Sequence, residues 1–106
     1  MTTSTLTLNL SEPVTQRLLP DIEALLAPTD FSVLLNTLSG QPETTIACSQ
    51  TQEACSLLAA AIITWLRLCR MCIWHDTHPV NVQALNVQSL FTLLMQPHAH
   101  LRLALC

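Results

Sequence analysis

Four side chains suited to metal or thiol chemistry crowd into CRMCIWHDTH, residues 69 to 78: Cys69, Cys72, His75 and His78, each three positions after the last. Cysteine and histidine are the ligands of structural zinc, and a cysteine with a histidine base is the usual thiol nucleophile. The spacing argues against convergence. On a continuous helix, residues three apart advance by about 300°, so Cys69 and Cys72 diverge by about 60° and His78 lies ~13 Å further along the axis. Tetrahedral zinc holds its ligands within about 2.3 Å of the ion. A strand spreads the four further still. A knuckle turn would gather the thiolates, but the segment has no glycine to make one. The expectation is a seam between elements: Cys69 ends a helix, Cys72 enters a strand, and His75 and His78 stand at its exit. No metal, cofactor or catalytic residue is assigned, and His98 and His100 are read as polar residues bounding the last element.

The elements around that seam follow from periodicity. In TLTLNL, 5 to 10, Leu6, Leu8 and Leu10 share one side, the alternation of a half-buried strand. Ser11 then stands as a helix N-cap, with Glu12 and Pro13 in the first turn and Val14, Leu18, Ile22 and Leu25 at helical spacing. Pro20 should kink this helix and Pro28 stop it. FSVLLN, 31 to 36, fits a strand or a helical turn, and the strand is favoured. Ser39 to Pro42 is the strong turn cluster, after which TTIAC, 44 to 48, extends again. Gln52 to Leu68 lacks glycine and proline and reads as a helix, apolar nearly all round and so buried on more than one side. CIWHD, 72 to 76, reads as a strand. Val80, Ala84, Val87, Phe91 and Leu94 mark an amphipathic helix, with Asn81, Asn86, Gln88 and Thr92 outside. LRLALC fits a last strand or a helical turn. The β-α-β-β-α-β-α-β order implies a single α/β domain over 1–106, with helices packed on a small mixed or parallel sheet.

Composition bounds the function. Half of the 106 residues are apolar, 10% are charged and one is glycine, which suits a compact core and neither a disordered tail nor a many-stranded sandwich. Net charge is −3 and the basic residues are four arginines, too few and too scattered to neutralise a run of phosphates, so nucleic acid is excluded as a partner. The amino-terminal stretch MTTSTLTLNL lacks the basic and apolar regions of a secretory signal. The longest apolar stretch runs only from Ala54 to Leu66, short of the roughly 20 residues of a membrane-spanning helix. Five cysteines, an odd count, fit a reducing compartment in which thiols serve as small buried hydrophobes. A cytoplasmic protein is expected.

With 72 to 76 as a strand, TQEACSLLAAAIITWLRLCRMCIW, 51 to 74, resembles the centre of a STAS domain, the family of anti-sigma-factor antagonists and related bacterial regulatory modules. In that family a strand leads into a loop of the form Asp-Ser-Ser-Gly or Asp-Thr-Ala-Gly, then a helix opening Leu-x-Leu-Leu, then a strand that often carries tryptophan in chemotaxis-associated members. Leu57, Leu58 and Trp74 fit without a gap. TLTLNLSEPVTQRLLPDIEALL resembles the first strand and helix, and PVNVQALNVQSLFTLL the helix after the last core strand. The loop departs from the pattern: Thr51 stands at the family's aspartate, Gln52 and Glu53 at the positions of the phosphorylatable hydroxyl, and Ala54 at the glycine. Neither Gln52 nor Glu53 can accept a phosphate, while Glu53 sets one permanent negative charge at a helix start, where the dipole favours it. The segment from 31 to 50 is longer than the family's, as if residues were inserted around Ser39 to Glu43.

The resemblance implies a non-catalytic protein–protein interaction module. Its partner-binding residues would be Ser49, Thr51, Gln52, Glu53, Ala54 and Ser56, with the exposed side of the 52–68 helix as an apolar extension. The same helix start also fits plain capping, a hydroxyl followed by an acidic first turn. The partner classes are a kinase or anti-sigma factor, a chemotaxis component, or a transporter ATPase served by an accessory subunit, with homodimerisation open. An all-helical adaptor or secretion chaperone is the competing architecture, with 31–37 and 100–105 helical.

Overall fold

A computed structural model describes residues 4–38 and 40–106, so the turn expected at Ser39 to Pro42 is described from Gly40 onward, and the first three residues of the amino-terminal stretch lie outside it. Among the described residues the chain forms six strands and three α-helices: β1 (Thr5–Ser11), α1 (Glu12–Leu25), β2 (Phe31–Leu38), β3 (Gln41–Ser49), α2 (Gln52–Leu68), β4 (Met71–His75), β5 (His78–Pro79), α3 (Val87–Leu94) and β6 (His100–Leu105). The strands build one mixed sheet in the order β2-β3-β1-β6-β4-β5. β1 and β6 are parallel, and every other pair is antiparallel. The α/β class and the order of elements are those the sequence implies, with short β5 added. The six-stranded sheet overturns the all-helical architecture: both FSVLLN and LRLALC are strands.

Alternation decides which face is covered. Leu6, Leu8 and Leu10 of β1, Ile46 and Cys48 of β3, Met71 and Ile73 of β4, and Leu101 and Leu103 of β6 are buried under the helices, in one core with Leu18, Ile22, Leu58, Ile62, Leu90 and Leu94. The intervening residues form the opposite face, which no helix covers. Its side chains bond to one another instead. Asn36 Nδ2 donates to Thr45 Oγ1 (3.0 Å), Thr45 Oγ1 donates to Asn9 Oδ1 (3.1 Å), and the Asn9 amide lies 2.9 Å from His100 Nε2. Since Asn9 Oδ1 is already an acceptor, its NH2 group donates and His100 Nε2 accepts. This ladder crosses β2, β3, β1 and β6. Beside it Arg102 lies 3.9 Å from Glu43 and 5.9 Å from the centre of the Trp74 ring.

Trp74 is therefore in a strand inside the sheet, as its context implies, while the expectation that this strand lies beside the leucine-rich β1 is corrected: β6 stands between them. α1, Glu12–Leu25, includes Pro20 within it. Other local expectations change for identifiable reasons. Ser11 occupies the N-cap position without capping; its hydroxyl is buried and unpartnered, while Thr15 Oγ1 donates to the Ser11 carbonyl. The helix expected from Val80 shortens to Val87–Leu94, because Asn86 caps it: Asn86 Oδ1 accepts from Ser89 N at 2.8 Å and Ser89 Oγ accepts from Asn86 N at 2.9 Å, a reciprocal box that starts the helix there. Residues Val82–Ala84 form only a 3-10 turn. Cys72 and Cys106 form a disulfide, Cα to Cα 5.5 Å, which corrects the expectation of five thiols; Cys48, Cys55 and Cys69 are free.

Candidate docking surface

The CRMCIWHDTH stretch resolves into the seam that its spacing implies. Cys69 is the C-cap of α2, and its Sγ donates to the Trp65 carbonyl at 3.3 Å. Cys72 is in β4 and committed to Cys106. His75 and His78 face each other across the two-residue turn between β4 and β5, where Asp76 takes a positive φ of 56°. Among the described residues no group of three or more His, Cys, Asp or Glu side chains is gathered in metal-binding range. The free thiols are poor nucleophiles where they are buried. Desolvation, with smaller contributions from Cys55 and Asp30, pushes the Cys48 thiol up to about 12, and burial raises that of Cys55.

The loop before α2 is built from both of its flanks. Ser49 ends β3 opposite Thr5, and Gln50 N donates to Ser4 O at 2.8 Å. The Gln50 side chain then reaches across to α3, donating to the Leu94 and Gln96 carbonyls, both at 2.7 Å. Leu94 ends α3, where helical acceptors lack intrahelical partners, and Gln96 lies in the turn just after it. Thr51 Oγ1 accepts from Ala54 N at 3.1 Å, the capping bond its position implies. Gln50 carries no motif signal and was not among the sequence candidates; a glutamine after a strand is unremarkable until α3 is seen to end beside it.

Of the six sequence candidates, Thr51, Gln52, Glu53 and Ser56 are exposed together and Ser49 is half-buried beside them. Ala54 is only 2% exposed and belongs to the core under α2, so it is not available to a partner. The exposed stripe of α2 also differs from expectation. It runs through Glu53, Ser56, Ala60, Thr64 and Arg67, small or polar, because the apolar sides of this helix are spent on the sheet, α1 and α3. Trp65 marks one of those contacts, its Nε1 donating to Asp21 Oδ2 of α1 at 2.7 Å. An apolar extension survives at the far end alone, where Leu68 is 69% and Val87 42% exposed beside a shallow groove lined by Ala60, Ile63, Thr64 and Arg67. At 1.5 Å per residue, Glu53 and Leu68 stand roughly 22 Å apart along the helix.

No helix is long and apolar enough to cross a membrane among the described residues. Comparison with protein-family models, curated proteins and solved structures finds no match to this chain.

Proposed function

We propose that this chain is a non-catalytic docking module of a bacterial regulatory system, related to STAS domains, in which Glu53 replaces the phosphorylation switch by a fixed charge. The partner would sit on the start of α2, contacting Thr51, Gln52, Glu53 and Ser56, and would extend along the stripe toward Leu68. The observation that carries this reading is the bracing of that helix start: Gln50 ties it to the end of α3 and Thr51 caps it, so that Gln52 and Glu53 are presented on a fixed tip. A preorganised surface loses little side-chain and loop freedom when it binds. A kinase or anti-sigma factor, a chemotaxis component and a transporter ATPase all remain partner classes for such a tip. In the cytoplasm that this reading implies, the Cys72–Cys106 bond would be exposed to reduction, since disulfides persist chiefly in oxidising surroundings.

The test is parallel affinity capture from the native host with the wild-type chain and with Glu53→Arg. A protein that co-purifies with the first and is lost from the second, while the two chains keep the same far-ultraviolet spectrum and melting temperature, supports the reading. Equal recovery removes Glu53 from it.

A further inference from the structure

The two edges of the sheet are treated differently. On one side β5 is two residues long and ends in Pro79, the kind of short, proline-bearing edge that discourages pairing. On the other, β2 spans Phe31–Leu38 with neither a proline nor a charge. Three of its apolar side chains are open to solvent, on both faces of the sheet: Val33 is 40% and Leu35 77% exposed on the helix side, Leu34 60% on the other. α1 stops short of this edge and leaves a groove of about 440 Å³ between itself and Leu35, lined also by Thr15, Gln16, Asn36 and Pro42.

The direction of the free backbone groups can be worked out strand by strand. Thr7 N donates to Ala99 O, toward β6, so the odd residues of β1 bond to β6 and the even ones to β3. The β1·β3 register pairs Leu8 with Ile46, so even residues of β3 bond to β1 and odd ones to β2. The β2·β3 register pairs Leu34 with Thr45, so even residues of β2 are satisfied by β3. Phe31, Val33, Leu35 and Thr37 are left with N–H and C=O groups aimed outward. Pro42 agrees with this parity: it lies opposite Thr37, at a position where β2 asks for no N–H.

We propose that β2 pairs with β2 of a second copy of this chain, antiparallel about a two-fold axis at Leu34. In that register Val33 faces Leu35 of the other copy, Phe31 faces Thr37, and Leu34 faces itself. All four outward-directed residues of each strand fall in hydrogen-bonded pairs, giving about eight inter-chain bonds. Leu34 falls at a non-hydrogen-bonded position, where facing Cα atoms approach to about 4.5 Å and side chains meet most closely. Val33 and Leu35 of both copies then cover one another where α1 leaves the sheet bare. The strand is uncharged, so its self-pairing sets no like charges opposite each other. The pairing is isologous and closes at two copies.

The chain should sediment as a dimer at 10 to 100 µM, on the order of the concentrations at which modest interfaces assemble. Leu34→Lys places two ammonium groups across the axis and should weaken dimerisation at least tenfold without lowering the monomer's helix and sheet content. Val33→Glu and Leu35→Lys should each weaken it, and the double variant should recover it, because only this register sets position 33 of one copy opposite position 35 of the other. A wild-type monomer at 100 µM, a Leu34→Lys dimer of unchanged affinity, or a double variant weaker than both singles would overturn the proposal. Monomeric wild-type chain that binds an added uncharged extended peptide along β2 would assign the edge to a different occupant, and equally overturn it.

Discussion

Breaking the Cys72–Cys106 disulfide, between β4 and the residue that follows β6, should be among the most destabilising changes available outside the core. The bond joins residues 34 apart in sequence and closes a loop containing the rest of β4, β5, α3 and all of β6. Chain-entropy bookkeeping for a loop of about 35 residues removes roughly 12.7 cal/mol/K from the unfolded ensemble, ~3.8 kcal/mol at 25 °C. A 106-residue domain has an unfolding entropy of about 0.22 kcal/mol/K near its midpoint, so the loss corresponds to a fall of ~17 °C in melting temperature. β6 lies between β1 and β4, so what the cross-link holds in place is a strand whose loss would cut the sheet in two. The measurement is thermal unfolding by circular dichroism of the oxidised chain, the chain with a phosphine reductant, and Cys106→Ser, with Cys69→Ser as a thiol outside the bond. Oxidised and reduced chains melting within ~2 °C of each other would refute the reasoning. So would five titratable thiols in unreduced, denatured protein, since the bond leaves three.

Three further outcomes follow from the core and its contacts. Cys48 has its thiol raised to about 12 in the folded state against 9.0 for an unperturbed thiol, so the unfolded chain loses this proton first as pH rises. The stabilisation is therefore complete below pH 9 and lost between about 9 and 12; urea midpoints should fall across that window, and Cys48→Ala should flatten the fall. Asp21→Ala strips the acceptor from Trp65 Nε1, which should lower stability by about 1–2 kcal/mol and alter Trp65 emission; an unchanged urea midpoint would count against a contribution from this bond. Leu58, 1% exposed at the centre of α2, should lose about 2–5 kcal/mol as Leu58→Ala, and a smaller loss would mean that the helix layer collapses into the space.

The strands were legible wherever one face is buried and the other wet. TLTLNL and LRLALC alternate because β1 and β6 carry helices on one side only. FSVLLN was ambiguous for the opposite reason: an edge strand beyond the helix layer has no buried side to impose alternation, so three apolar residues stand in a row. The start of α3 was misplaced because Val80, Ala84 and Val87 keep helical spacing across a break set by the Asn86–Ser89 box, and periodicity outlasts the backbone hydrogen bonds there. The helix start at Thr51 was readable from capping chemistry, whereas the Gln50 brace and the Cys72–Cys106 pairing were not. Both join segments far apart in sequence, and neither strand order nor register follows from local pattern. An odd number of cysteines concealed a bonded pair among three that pack as thiols.

The register of β3 ties the two proposed surfaces together. Phe31, where β2 begins, pairs with Cys48, one residue before Ser49 and the braced loop, so the open edge and the α2 tip meet at this end of the sheet. Pairing two copies about Leu34 sets Phe31 of one opposite Thr37 of the other, so the two Phe31 positions lie six residues, about 20 Å, apart along the ladder. The two tips would then point from opposite ends of a twelve-stranded sheet, with neither covered by the contact. Such an arrangement converts one docking site into two, and a partner that is itself dimeric would bind more tightly than either site alone allows, provided its own spacing matches. Leu34→Lys and Glu53→Arg therefore separate the two surfaces: the first should lower apparent affinity for a bivalent partner while leaving each tip intact, and the second should abolish binding while leaving the dimer.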